Sequence, residues 1–154
     1  MKGLNPVVKV VFILIFAITV SIGVALWLTS ITSGFTRTEN LEFLIFNARG
    51  TPVEGYTINI TVKNTGTSNI IITDVLIGHE SFTVYNGKLI FIRNGRVVAS
   101  TTSKPHFTLR PGQQVELVIK IPPGTAIPTD NRCIPVKIHT VTAKDYPVTV
   151  PCTP

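Results

Sequence analysis

The side chains best suited to hold a metal or move a proton are few. The chain has three His, two Cys and eight acidic residues in 154. His79, His106 and His139 are far apart in sequence and form no H-x-H or H-E-x-x-H pair. A blue-copper centre needs two His, a Cys and usually a weak Met ligand. Cys133 and His139 are near each other, but the single Met is Met1, ahead of a long apolar run. Glu39, Glu42, Glu54, Asp74, Glu80, Glu116, Asp130 and Asp145 are scattered, so no carboxylate pair can be built from sequence. G-x-S-x-G, S-x-x-K and the phosphate-cradling G-x-x-x-x-G-K-[ST] are all absent. The expectation is a protein that is not an enzyme, with no cofactor and no metal.

The elements that carry these residues are easier to read. Hydrophobic residues make up 44% of the chain and charged residues 14%. That excludes a disordered chain. Eleven Gly and eleven Pro without period exclude a collagen-like one. The net charge is +6, but the 14 Lys and Arg are spread along the chain and no run of them makes a basic patch. Nucleic acid is therefore not an expected partner.

The apolar excess is concentrated near the N-terminus. Residues 10–28 (VVFILIFAITVSIGVALWL) carry no charge. As a helix at about 1.5 Å per residue they span roughly 28 Å, close to a hydrocarbon core. Lys9 precedes the run and Trp27 lies near its far end, where interfacial anchors belong. Lys2 and Lys9 put the N-terminus in the cytoplasm and residues 29–154 outside. The run is longer than a secretory signal, and Leu26-Trp27-Leu28 is a poor cleavage site. Ala17, Ser21 and Ala25 recur every four residues with Gly23 among them, a small-residue stripe for helix packing and polymerisation. Residues 29–40 are polar and rich in Ser and Thr, and either extend the helix or form a linker.

From residue 41 the period changes to two. Tyr56, Ile58, Ile60 and Val62 alternate with Thr57, Asn59, Thr61 and Lys63, a strand with one buried face. Val115, Leu117, Ile119 and Ile121 repeat the pattern, and so do Ile134, Val136 and Ile138. Candidate strands cover 41–48, 55–64, 69–77, 81–85, 88–93, 95–100, 105–110, 114–121, 133–142 and 146–151. Asn86-Gly87 and Asn94-Gly95 predict tight hairpins, and Arg110-Pro111-Gly112-Gln113 predicts a turn. The expected fold is a long hydrophobic α-helix followed by an all-β antiparallel, Ig-like β-sandwich. Cys133 and Cys152 fall on the outer side, where an oxidising exterior permits a disulfide. It would close a loop of about 20 residues for about 3 kcal/mol in the chain-entropy model. Asn59-Ile60-Thr61 is an N-glycosylation sequon on the polar face of its strand.

The opening Met1-Lys2-Gly3-Leu4-Asn5-Pro6-Val7-Val8 resembles the processing site of archaeal type IV pilins. In that family a prepilin peptidase cuts after a basic residue and Gly, which here falls between Gly3 and Leu4. A Pro at the position of Pro6 is common in archaeal members. Val62-Lys63-Asn64-Thr65-Gly66, the stretch 70–78 and Leu109-Arg110-Pro111-Gly112 look like the strand pattern of such extracellular sandwiches. The resemblance implies a leader at 1–3, a helix over 4–36 that is transmembrane before assembly and filament core after it, a junction at 37–40, and an ectodomain over 41–154. It implies a structural subunit of a surface filament for adhesion. Its partners would be copies of itself, a prepilin peptidase, an assembly ATPase and a membrane platform protein. The rival reading is an uncleaved monotopic membrane protein whose sandwich binds an S-layer or filament-base partner.

Overall fold

The computed structural model describes residues 3, 5–35 and 37–153. The chain forms two compact units that divide between Arg37 and Thr38. The first is one helix, α1 (Pro6–Phe35). It continues well past the uncharged run, and there Thr29 and Thr32 donate their hydroxyls to the carbonyls of Ala25 and Leu28, which satisfies these polar side chains within the helix.

The second unit is built from ten strands: β1 (Leu41–Thr51), β2 (Gly55–Asn64), β3 (Ile70–Ile77), β4 (Glu80–Ser81), β5 (Lys88–Arg93), β6 (Arg96–Thr101), β7 (Phe107–Leu109), β8 (Gln114–Ile121), β9 (Cys133–Thr140) and β10 (Asp145–Thr153). One sheet runs β1-β2-β8-β5-β6. The other runs β3-β9-β10, with β4 and β7 pairing β3. All these pairings are antiparallel. A single short parallel pairing of β1 with β10, at Ala48↔Cys152 and Arg49↔Thr153, joins the two sheets.

The period-2 reading holds in detail. Ile58, Ile60 and Val62 of β2, Leu117 and Ile119 of β8, and Ile134 and Ile138 of β9 all have no more than 1% of their surface exposed. They meet in one core between the sheets. The architecture is a β-sandwich. The single Trp of the chain, Trp27, lies in α1. The core therefore lacks the Trp that immunoglobulin domains pack against an inter-sheet disulfide.

Segment 81–85 departs from its expected strand. Only Glu80–Ser81 pairs with β3, and Phe82–Tyr85 forms a 3-10 turn. Ser81 caps that turn by accepting from the Thr83 amide, and Phe82 is fully buried. Asn86 adopts the left-handed conformation at its end (φ 52°). Asn86-Gly87 thus closes a 3-10 turn and not a hairpin. Asn94 and Gly95, with φ 51° and 73°, do form the tight β5–β6 hairpin. At 110–113 the Gln113 amide donates to the Arg110 carbonyl and Gly112 has φ 76°, the geometry of a type II turn with Pro111 at its first corner.

The core residues carry the stability of this unit. Ile119→Ala, which removes a fully buried side chain, should lower unfolding free energy by about 2–5 kcal/mol in chemical denaturation. Val97→Ala on exposed β6 should change it by less than about 0.5 kcal/mol.

Candidate functional site: the apolar helix and the latched junction

The sequence around α1 dictates how it starts. Asn5 is the N-cap: its Oδ1 accepts from the Val7 amide at 3.3 Å, and its carbonyl accepts from Val8 and Lys9. Pro6 takes the first helical position, where a missing N–H costs nothing. The helix has no polar face. Phe12, Ile13, Leu14 and Ile15 circle it, and each is more than half exposed. The stretch Pro6–Thr32 has a mean hydropathy of 2.7 and is long and apolar enough to cross a membrane. The two hydroxyls within the uncharged run are satisfied internally: Thr19 donates to Ile15, and Ser21 donates to Ala17 at 2.7 Å. Such a surface can be surrounded by lipid or by other helices without stranding a polar group.

The small residues divide between two faces. Ala17, Ser21 and Ala25 stand on one stripe, with the Ser21 hydroxyl turned back on the Ala17 carbonyl. Gly23 does not join them. It is two residues from both Ser21 and Ala25, and at 3.6 residues per turn that places it on the opposite face. A Cβ there would meet nothing within 4 Å. Of the expected leader site, Gly3 is described, while Leu4 lies outside the described residues, as do Met1 and Lys2.

The segment expected as a junction is fastened to the sandwich from Thr38 onward. The Thr38 amide donates to Thr67 Oγ1, and the Thr38 carbonyl accepts from the amides of Thr67 (2.8 Å) and Ser68 (3.2 Å). The Thr65 amide donates to the Asn40 carbonyl, and Asn40 Nδ2 returns a bond to Thr65 Oγ1 at 2.7 Å. On the other side, Thr142 Oγ1 donates to the Glu39 carboxylate. Gly66 makes the approach possible: a Cβ there would lie 2.2 Å from the Thr38 carbonyl oxygen and 2.7 Å from the Asn40 nitrogen.

The loop that receives the junction is held by Asn64. Its side chain is fully buried, a costly placement unless every polar atom is paired. Oδ1 accepts from the Gly66 amide at 2.9 Å, and Nδ2 donates to the carbonyls of Ser68 and Leu109. Its main chain bonds Gln113 and Gly112 in the next turn. Sequence reasoning did not single out Thr38, Asn40, Asn64 or Gly66 as functional. The available signal was Asn64-Thr65-Gly66, an Asn two residues before a Gly, which suits a side chain capping its own turn.

The remaining expected sites are dispersed. Asn59 is half-buried in the middle of β2, opposite Asn47 and Val118, and its Oδ1 is buried with no hydrogen-bond partner. Cys133 and Cys152 are not joined in this structure. Cys133 pairs across the ladder with Pro151, so it shares the outer face with Pro151, whereas Cys152 turns inward against the core. Burial pushes the Cys152 thiol pKa up, and nearby Cys133 adds to the shift. His139 and Asp145 form a surface pair at 2.5 Å, with Lys137 at 3.6 Å from the same carboxylate. The hydrogen bond to His139 holds the Asp145 carboxyl below its usual range, so its stabilising contribution is lost as pH falls through that lowered value. Among the described residues no three His, Cys, Asp or Glu converge where a metal ion could bind.

The chain is an apolar helix followed by a β-sandwich. No protein-family model matches the chain, and no curated protein matches it. Several solved structures are similar to it, these three among them. The archaellum periplasmic stator protein FlaG from Sulfolobus acidocaldarius is 16% identical over 73% of this chain and 99% of its own, with TM-score 0.41. The Iho670 flagellar-like filament is 10% identical over 96% of this chain and 98% of its own, with TM-score 0.34. Spo0M, a sporulation control protein from Bacillus subtilis, is 14% identical over 75% of this chain and 49% of its own, with TM-score 0.39. Identities and scores this low leave the functional reading to the chain's own residues.

The latch and the thiols each give a measurable consequence. Gly66→Ala should expel Thr38–Asn40 from its cradle while leaving the core intact. Amide exchange at Thr65, Thr67 and Ser68 should then accelerate at least about tenfold, and trypsin should cut faster after Arg37. Under native, non-reducing conditions both cysteines should alkylate, Cys133 faster than Cys152, because the thiolate is the reactive form and Cys152 resists ionisation.

Proposed function

We propose that the chain is the structural subunit of an archaeal type IV pilus-like surface filament, polymerising through α1 and used for adhesion. One observation carries this reading: a helix of 30 residues whose segment from Val10 to Leu28 is exposed and apolar on every side, with the hydroxyls of Thr19 and Ser21 bonded to its own backbone. An anchor needs only enough apolar length to span lipid. A filament core also needs faces that other helices can approach, and the Ala17–Ser21–Ala25 stripe supplies one. Each large side chain buried between subunits would contribute roughly 1.5–3 kcal/mol. A helix that buries one face against a different face of its neighbour gives an open helical polymer, not a closed ring.

The latch supports the same role. In a filament, load on the ectodomain reaches the helix through the backbone at residues 37–38. Because Thr38–Asn40 is bonded to two loops of the sandwich, that load meets a hydrogen-bonded cradle and not a slack linker. In this reading the precursor is a single-pass membrane protein with its N-terminus cytoplasmic. Prepilin peptidase cuts between Gly3 and Leu4, and an assembly ATPase with a membrane platform protein drives extraction.

Electron microscopy of sheared surface filaments, with mass spectrometry of their subunits, tests the proposal. The expected subunit begins at Leu4, and Gly3→Leu should abolish both the cut and the filaments. A chain that keeps Met1 and never leaves the membrane would instead be the monotopic anchor. Ala17→Leu or Ser21→Leu should reduce filament yield at least about tenfold while membrane insertion is unchanged, since Leu suits lipid at least as well.

A further inference from the structure

The sheet β1-β2-β8-β5 assembles a charge pattern that the sequence disperses. Ladder pairing places Lys88 opposite Lys120, Lys120 opposite Thr57, and Thr57 opposite Arg49. All four side chains stand on the outer face, because their neighbours Leu89, Ile119, Ile121, Ile58 and Ala48 fill the core. Lys88, Lys120 and Arg49 are exposed, and none has an ion-pair partner among the described residues. At about 4.8 Å between strands the row is roughly 14 Å long. Like charges directly opposite on a ladder are destabilising. Glu54, the acid closest in sequence to the row, lies in the turn between β1 and β2, and Glu116 lies two rows along the sheet from Lys120.

The chemistry around the row narrows the ligand. Thr57 offers a hydroxyl within it. In the next row Asn47 is exposed, while Asn59, whose Oδ1 is buried, leads on to Val118 and Ile90. The row of cations itself holds no aromatic ring on which a nucleobase could stack and no large apolar side chain to enter a bilayer. Cations for carboxylate or sulfate, beside the Thr57 hydroxyl and the Asn47 amide for sugar hydroxyls, fit an anionic carbohydrate laid across the strands. We propose that this outer face binds an acidic polysaccharide, uronate- or sulfate-bearing, through Lys88, Lys120 and Arg49. The site belongs to the sandwich alone and stands whether or not α1 polymerises.

The test uses the full-length chain in neutral detergent, with binding to immobilised polygalacturonate measured against neutral dextran, an oligo-dT strand and phosphatidylglycerol vesicles. Wild type should bind polygalacturonate in preference to the other three, with an affinity that falls as salt rises. Lys88→Gln/Lys120→Gln should weaken binding at least about tenfold. Arg96→Gln/Arg110→Gln removes the same charge elsewhere and should change it less than about twofold. The Lys88/Lys120 variant should also melt no lower than wild type, because a repulsion is removed, so lost binding cannot be ascribed to unfolding. Equal losses in the two double variants, no wild-type binding to polygalacturonate, or a wild-type preference for oligo-dT or vesicles overturns the proposal.

Discussion

A primary amide buried in an apolar core must have its hydrogen bonds satisfied on the spot, and the Asn64 carboxamide meets that demand by bonding two segments, the loop at Gly66 and Ser68 and the strand end at Leu109. It fixes the turn that follows it, the end of β7, and through its backbone the turn that leads into β8. With those loops set, the 64–68 segment becomes a template for Thr38–Asn40. The position at which the sandwich takes hold of the incoming chain is thus decided by one carboxamide and by the missing side chain of Gly66. The carboxamide itself is fully buried.

The two units answer to different solvents. In the sandwich, apolar residues alternate because one face of each strand meets the core and the other meets water. In α1 no alternation and no amphipathic stripe exist, since no face was selected to meet water. Its side chains remain exposed in the isolated chain, and they amount to an unfilled requirement for lipid or for other helices. The hydroxyls of Thr19, Ser21, Thr29 and Thr32 obey the same rule by bonding inside the helix.

Much of the fold was legible because period, turn chemistry and burial agree. β2, β8 and β9 were readable from alternation, and the Asn94-Gly95 hairpin and the Pro111-Gly112 turn from backbone preferences. The misreadings share one cause, which is that local signals do not encode which neighbour an element meets. Asn86-Gly87 has hairpin chemistry, yet burial of Phe82 turns the preceding residues into a 3-10 turn. The row of Lys88, Lys120 and Arg49 is assembled from three strands, so no window of sequence contains it. The latch was half visible: Asn64-Thr65-Gly66 announces a turn, and nothing local says that the turn receives Thr38.

The short parallel pairing of β1 with β10 has a consequence for how the chain is made. Gly50 and Cys152, which come together there, are 102 residues apart. The first strand of the sandwich therefore cannot gain its second neighbour until β10 has been synthesised. Closing so long a loop is entropically costly, and topologies dominated by such pairings fold slowly. A chain whose N-terminal helix enters the bilayer early would wait there as a tethered intermediate, with one side of β1 unpaired. In that interval the strand is open to the C-terminal segment of a neighbouring chain as well as to its own. The order of synthesis thus leaves the first strand of the sandwich to be completed by its last, β10.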